Sequence, residues 1–180
     1  MRIKANQTKK RTQFLNSILN VMEKHELFTE IVSRKNDTEA QIQKVLFLRL
    51  QIELPSLISS TFGVNHQKAE YIVANKFIWE QKINTTVHNF SFFATNHRPD
   101  AELEVDKLRI AIEIKKGDSG LAIRSGIGQS IVYSSQFDFV LYFFIDTTSG
   151  GDIRSSCTGQ KELSLINSLW KNYNVKFIIV

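Results

Sequence analysis

A chain of 180 residues with 42% hydrophobic and 23% charged side chains is ordinary for a soluble globular protein of one domain with a terminal extension. Its single cysteine, Cys157, excludes an intramolecular disulfide and a cysteine-rich zinc site and suits a reducing compartment. The net charge of +5 leans toward polyanionic partners. No apolar run approaches the roughly 20 residues of a membrane span, and the polar, basic start lacks a signal peptide's apolar core, so a cytoplasmic location with no membrane partner is expected.

In chain order, residues 1–12 carry Arg2, Lys4, Lys9, Lys10 and Arg11 with few apolar positions and read as a mobile basic arm. Phe14, Ile18, Leu19, Met22 and Leu27 follow helical spacing and predict a helix over about 11–25. Asn36 and Asp37 break the chain. Thr38-Glu39-Ala40-Gln41 is then a capping box with Thr38 as N-cap, opening a helix expected to reach about Gln51. Pro55 is expected to stop it, and Gln67 to Val73 suggest another helix. Residues 83–93, rich in Thr, Val and Phe, favour a strand.

The most informative stretch runs from Arg98 to Lys116. Leu108, Ile110, Ile112 and Ile114 alternate with Arg109, Ala111, Glu113 and Lys115, which predicts a half-buried strand. Ala101, Leu103 and Val105 alternate with Asp100, Glu102 and Glu104 in the opposite phase. A hairpin turning at Asp106-Lys107 sets Val105, Leu103 and Ala101 opposite Leu108, Ile110 and Ile112, so the apolar faces coincide. The turn lacks the usual glycine, and a four-residue loop gives the same register. Glu104 then faces Arg109, Asp100 faces Glu113, and Lys115 shares their side. Two carboxylates opposed in this way repel unless a proton or a cation separates them. Carboxylate oxygens suit Mg²⁺ or Mn²⁺. A solvated polar face, with Lys115 neutralising Glu113, is the plain alternative.

Beyond the hairpin, Gly117 to Gly120 is a turn cluster, and Leu121 to about Ser135 suggest a helix weakened by Gly126 and Gly128. Gln129 and Tyr133, four apart, share one of its faces. Phe137 to Ile145 is a nearly continuous apolar run suited to a strand buried on both sides. A Ser/Thr/Gly loop over 147–159, a helix from Glu162 to Trp170 and a strand from Val175 to Val180 complete the chain.

Pro99-Asp100 followed by Glu113-Ile114-Lys115 resembles the signature of the PD-(D/E)xK nuclease superfamily, and Gln129-x-x-x-Tyr133 resembles the motif that one branch places on the next helix. The resemblance spans about Thr38 to Asp146. It implies an α/β fold with a restriction-endonuclease-like αβββαβ core, a mixed central sheet flanked by helices, an N-terminal helical extension and a C-terminal helix and strand. Residues 1–36 would be the arm and first helix, and 37–180 a single nuclease-like domain with its core at about 38–146. It further implies a Mg²⁺- or Mn²⁺-dependent nuclease, with Asp100, Glu113 and the Ile114 carbonyl as metal ligands and Lys115 activating or positioning water. Glu39, in the first turn of a core helix, matches the glutamate that members often aim at the metal, although the helix dipole alone favours an acid there. Arg98, Lys116, Arg124, Gln129 and Tyr133 are candidates on the nucleic-acid side; solvent exposure explains the three basic residues equally well. His88 and His97 stand near the site in sequence, where a structural or solvated histidine is the commoner case.

The implied partner is nucleic acid, DNA favoured over RNA, and the chain would act as a homodimer or within a larger assembly. Two other readings stay open: a catalytically silent nucleic-acid-binding or assembly protein on the same fold, or an α/β enzyme acting on a small phosphorylated ligand. The second lacks a phosphate loop, since Gly126-Ile127-Gly128 has no third glycine.

Overall fold

The computed structural model describes residues 5–83 and 85–180 and arranges them about a mixed five-stranded sheet flanked by helices. Four helices come first: α1 (Ala5–Met22), α2 (His25–Ser33), α3 (Glu39–Phe62) and α4 (His66–Lys76). Strand β1 (Phe77–Trp79) follows, then a separate hairpin of β2 (Phe90–Phe92) and β3 (Thr95–His97). The long hairpin is β4 (Ala101–Val105) and β5 (Leu108–Gly117). Helix α5 (Gly120–Tyr133), strand β6 (Phe139–Asp146), helices α6 (Asp152–Ser156) and α7 (Gln160–Tyr173), and strand β7 (Val175–Ile179) complete it. The sheet order is β1-β4-β5-β6-β7, antiparallel from β1 to β5 and parallel from β5 to β7.

Each face of the sheet has its own apolar layer. On one side, Leu103, Ile110, Ile112, Ile114 and Phe143 meet Phe14, Ile18 and Met22 of α1 and Ile42, Leu46, Phe47 and Leu50 of α3. On the other, Ala111, Val140, Tyr142, Phe144 and Phe177 pack with Tyr133 of α5 and Leu169 of α7. Strand β5 is therefore buried on both faces, where alternation alone predicts a half-buried strand. Ala111 and Glu113, on its nominally polar side, lie under α5.

Several boundaries differ from the sequence reading. Residues 5–12 of the expected arm belong to α1, while Arg2 and Lys4 lie outside the described residues. The expected helix over 11–25 ends at Met22, and an extended Lys24 (φ −57°, ψ 134°) starts α2, which buries Leu27 separately. Pro55 does not stop α3. Proline removes one backbone donor and crowds the preceding turn. Here the helix continues because Leu54, Pro55 and Ile58 all bury their side chains, and Gly63 at φ 71° ends it instead. By length and composition α3 suffices to cross a membrane, but its apolar side is the core just described.

The strand expected over 83–93 is absent among the described residues of that stretch, apart from Phe90 to Phe92, which pair outside the main sheet. Ile83 is 85% exposed, so high strand propensity met no surface to cover. Phe77 and Trp79 take the edge of the sheet beside β4. Lys82 then folds back, its Nζ donating to the carbonyls of Val73, Ala74 and Phe77, which favours a cation at the end of α4. The 147–159 stretch, expected as a loop, contains the short α6.

Gly126 does not break α5, and its missing side chain is what lets the helix approach the sheet. A Cβ there would stand 2.3 Å from the buried Tyr142 ring, whereas one at Gly128 meets nothing within 4 Å. Gly126→Ala should therefore lower the melting temperature, costing about 1–3 kcal/mol through overpacking. Gly128→Ala should raise stability by about 0.5–1 kcal/mol, because alanine is the better helix former. Thermal denaturation of the two variants checks both signs.

Candidate active site

The β4–β5 hairpin closes through Asp106 and Lys107 at φ 48° and 61°, the geometry of a tight two-residue turn. Aspartate tolerates it better than most residues, so no glycine is needed. The register is Val105↔Leu108, Leu103↔Ile110 and Ala101↔Ile112, as hydrophobic phase requires. Glu104 and Arg109 are opposed, as the sequence phase requires, but are not ion-paired to each other. Glu104 binds Lys76 at 3.4 Å, and Arg109 lies over the Phe137 ring and donates to the Gln136 carbonyl.

Beyond Ala101↔Ile112, β5 outruns its partner. One step on, the register sets Asp100 beside Glu113; two steps on, it sets Pro99 opposite Ile114, a position where an antiparallel pair would exchange hydrogen bonds. Proline has no N–H, so Pro99 cannot supply a donor to the Ile114 carbonyl. The Ile114 N–H donates instead to Asp100 Oδ2 at 2.6 Å. Two residues further along the same edge, the Lys116 N–H donates to Glu39 Oε2 at 3.0 Å. The open edge of β5 is thus satisfied by carboxylates rather than by a strand.

Glu39 reaches this edge because the capping box fixes it in the first turn of α3, with Thr38 Oγ1 accepting from the Gln41 N–H and Gln41 Oε1 from the Thr38 N–H. Lys116 reinforces the junction, its Nζ donating to the Asp37 carbonyl at 2.6 Å. Between these carboxylates lies Lys115, with Nζ 2.9 Å from Glu113 Oε1 and 3.8 Å from Glu39 Oε1. Glu113 is 1% exposed, and its Oε2 has no hydrogen-bond partner among the described residues.

Burial, and then the Asp100 charge, push the Glu113 carboxyl up to about 8. Burial likewise raises Asp100 to about 6, against the pull of the Ile114 N–H and Lys115. Burial alone would lower the Lys115 ammonium, but Glu113, Asp100 and Glu39 outweigh it and hold it above its ordinary value. The cluster therefore seeks further positive charge or a proton at Asp100 and Glu113. An orphaned buried carboxylate oxygen, a second carboxylate and the carbonyl facing Pro99 form a hard-oxygen donor set that fits Mg²⁺ or Mn²⁺, which commonly take one or two carboxylates and complete their shell with water. Among the described residues, no group of three or more His, Cys, Asp or Glu side chains is gathered to hold an ion by itself.

Other candidates hold different posts. The buried Tyr133 hydroxyl donates to the Arg98 carbonyl at 2.9 Å, and burial, with Glu113 and Asp100 nearby, holds the phenol well above its ordinary value. Gln129 lies one turn earlier, its Oε1 buried without a partner among the described residues. Both line a polar cavity of about 390 Å³ together with Asn89, Asn96, His97 and Arg98. Arg98 is ion-paired to Glu80, Lys116 is held by Asp37, and Arg124 is exposed on α5. His88 is held by Glu102, its Nδ1 2.5 Å from Oε1, so His97 alone of the two lines the cavity.

Glu80 escaped the sequence reading. It follows Trp79, which pairs with Ala101, and its N–H donates to the Asp100 carbonyl. Phe-Ile-Trp read as an edge strand would have revealed it. Neither a protein-family model, nor a curated protein, nor a solved structure matches the chain.

The raised carboxyls give a signed pH dependence. Between about pH 4.5 and 8 the native state holds a proton at Glu113 that the unfolded chain has released, so stability falls as pH rises through that window, with Asp100 contributing up to about pH 6. In EDTA the melting temperature of the wild type should drop by several degrees between pH 5 and pH 8.5, and Glu113→Gln should flatten the slope. Mg²⁺ or Mn²⁺ at pH 8 should restore the wild type and leave the variant unmoved. A wild-type profile that rises across this range contradicts the assignment.

Proposed function

We propose that the protein is a Mg²⁺- or Mn²⁺-dependent nuclease of the PD-(D/E)xK type that hydrolyses phosphodiester bonds in nucleic acid, with DNA cut internally as the favoured activity. One observation carries the reading: Asp100, Glu113 and Glu39 gather at the open edge of β5, with Lys115 between Glu113 and Glu39. The succession α3, β1, β4, β5, α5, β6 supports it, being the αβββαβ order of a restriction-endonuclease-like core, with α4 and the β2–β3 hairpin as additions. A cytoplasmic setting and a homodimer or larger assembly belong to the same proposal.

In this reading Asp100, Glu113 and the Ile114 carbonyl hold the ion, which when bound supplies Lewis-acid polarisation of the phosphoryl oxygen and a water acidic enough to attack near neutral pH. The remaining work falls to the chain. The Ile114 N–H fixes the Asp100 carboxylate, and burial in the sheet fixes Glu113. Lys115, its ammonium held above its ordinary value by the surrounding carboxylates, donates hydrogen bonds and positive charge to water or to a phosphate oxygen. Glu39 steadies Lys115 from the opposite side and ties α3 to the strand. Gln129 and Arg124 are free to meet the backbone of the substrate, whereas Arg98 and Lys116 must first leave Glu80 and Asp37.

The test is cleavage of linear, circular and single-stranded DNA and of RNA, with Mg²⁺, Mn²⁺ or EDTA. Cleavage of at least one polymer is expected with either ion and none with EDTA. Lys115→Ala should lose at least 100-fold in rate, the scale of losing one preorganised electrostatic donor. Asp100→Asn keeps an acceptor for the Ile114 N–H, so it should fold normally and still be inactive. No cleavage of any polymer, or full activity in Lys115→Ala, overturns the proposal.

A further inference from the structure

The β2–β3 hairpin ends in an aromatic tip that the catalytic arrangement does not use. Phe93 is 89% exposed and Phe92 40%. Phe93 and Ala94 form the turn at φ 51° and 57°, a conformation that costs bulky side chains energy and normally selects Asn-Gly. A tip shaped only for stability would not place a phenylalanine there, nor leave its ring in water.

The tip is also wired to the site. Phe93 meets Phe92 edge-to-face at 4.5 Å, and Phe92 meets the His97 ring at 6.5 Å. His97 stacks on Phe90 at 5.9 Å, and Phe90 packs edge-on against Tyr133 at 5.9 Å. Tyr133 in turn holds the Arg98 carbonyl, two residues before Asp100. This aromatic run borders the polar cavity lined by Asn96, His97 and Gln129. Asp100 is seven residues along the chain from Phe93, so chain geometry keeps the tip within about 25 Å of it, the reach of roughly seven stacked base steps.

We propose that Phe93, backed by Phe92, is a stacking platform for an unpaired nucleobase, so that the substrate is single-stranded or carries a single-stranded end, flap or branch. The inference rests on the nuclease reading and deepens it. A base is the occupant that fits, because its flat π-face matches an exposed ring, its backbone suits a chain of net charge +5, and the tip continues into the polar cavity lined by His97, Arg98 and Tyr133. A fully paired duplex offers such a base only at its ends.

The variant is Phe93→Asn, which removes the ring and puts a residue tolerant of positive φ in the turn, so the fold should be as stable or more so. Binding is read by fluorescence anisotropy, in Ca²⁺ to prevent cutting, with fluorescein-labelled single-stranded DNA, a closed duplex and the duplex bearing a single-stranded flap. Phe93→Asn should bind the single strand and the flap roughly 5- to 100-fold more weakly, while the closed duplex changes little. Phe93→Trp should bind as the wild type does.

If Phe93→Asn binds all three within twofold of wild type while Mg²⁺-dependent cleavage persists, the platform is refuted and the nuclease reading stands. If Phe93→Asn loses binding but the wild type cuts nothing in Mg²⁺ or Mn²⁺, the base contact stands and the nuclease reading falls. A dimer that Phe93→Asn converts to monomer in size-exclusion chromatography, without loss of oligonucleotide binding, makes the tip a self-association contact and overturns the proposal.

Discussion

Two carboxylates set side by side, the buried Glu113 and the half-buried Asp100, are the constraint around which the other parts of the site are arranged. Burial penalises their charged forms, the Asp100 charge raises Glu113 further, and Glu39 and Glu80 raise Asp100. Every neighbour then answers that cost in part. Lys115 offers a cation at 2.9 Å from Glu113, and the Ile114 N–H offers a dipole to Asp100. Helix α3 brings its N-terminus, the positive end of its macrodipole, to the same edge of the strand. The compensation is incomplete, because Glu113 keeps a buried oxygen without a partner among the described residues. A cluster that folding leaves short of positive charge is suited to recruiting it from solution.

The placement of this cluster follows from a mismatch in strand length. Strand β4 ends its pairing at Ala101, while β5 runs on from Glu113 to Gly117 with only β6 beside it. An unpaired strand edge invites another strand unless something covers it. Here the cover consists of acids: Asp100 on Ile114 and Glu39 on Lys116, each accepting one backbone N–H. A proline at residue 99 stops β4 from continuing the ladder there. The same edge that needs hydrogen-bond acceptors thereby acquires oriented carboxylates, so edge satisfaction and site construction are one solution.

This is also why the hairpin was legible in the sequence and its surroundings were less so. Phase and charge along Ala101–Lys115 define the register without any knowledge of the rest, since a one-residue slip would bury Glu102 and Glu104 on the face that holds Ile110 and Ile112. The capping box of α3 is equally local, and so was read correctly. Pro55 and the 83–93 stretch misled because their outcome depends on distant partners. Whether a proline interrupts a helix depends on what both sides of it bury, and whether Thr, Val and Phe form a strand depends on a free edge, which Phe77–Trp79 had already taken. Lys116 and Arg98 looked available in sequence for the same reason: nothing local shows that Asp37 and Glu80 hold them.

The two-layer core explains how so polar a site is kept rigid. Glu113 lies on the face of β5 that α5 covers, and its neighbours along that face are Ala111 and Lys115. A small residue at 111 and no side chain at Gly126 let α5 sit close to the sheet, which brings Tyr133 down onto the Arg98 carbonyl and fixes the approach to Asp100. On the opposite face, Ile112 and Ile114 anchor the strand into the layer that also holds Ile42 and Leu46, and so anchor the helix that carries Glu39. The carboxylates arrive from two sides of the sheet on elements that cannot shift without disturbing a packed layer. Their separation is therefore set by the core rather than by their own mutual repulsion.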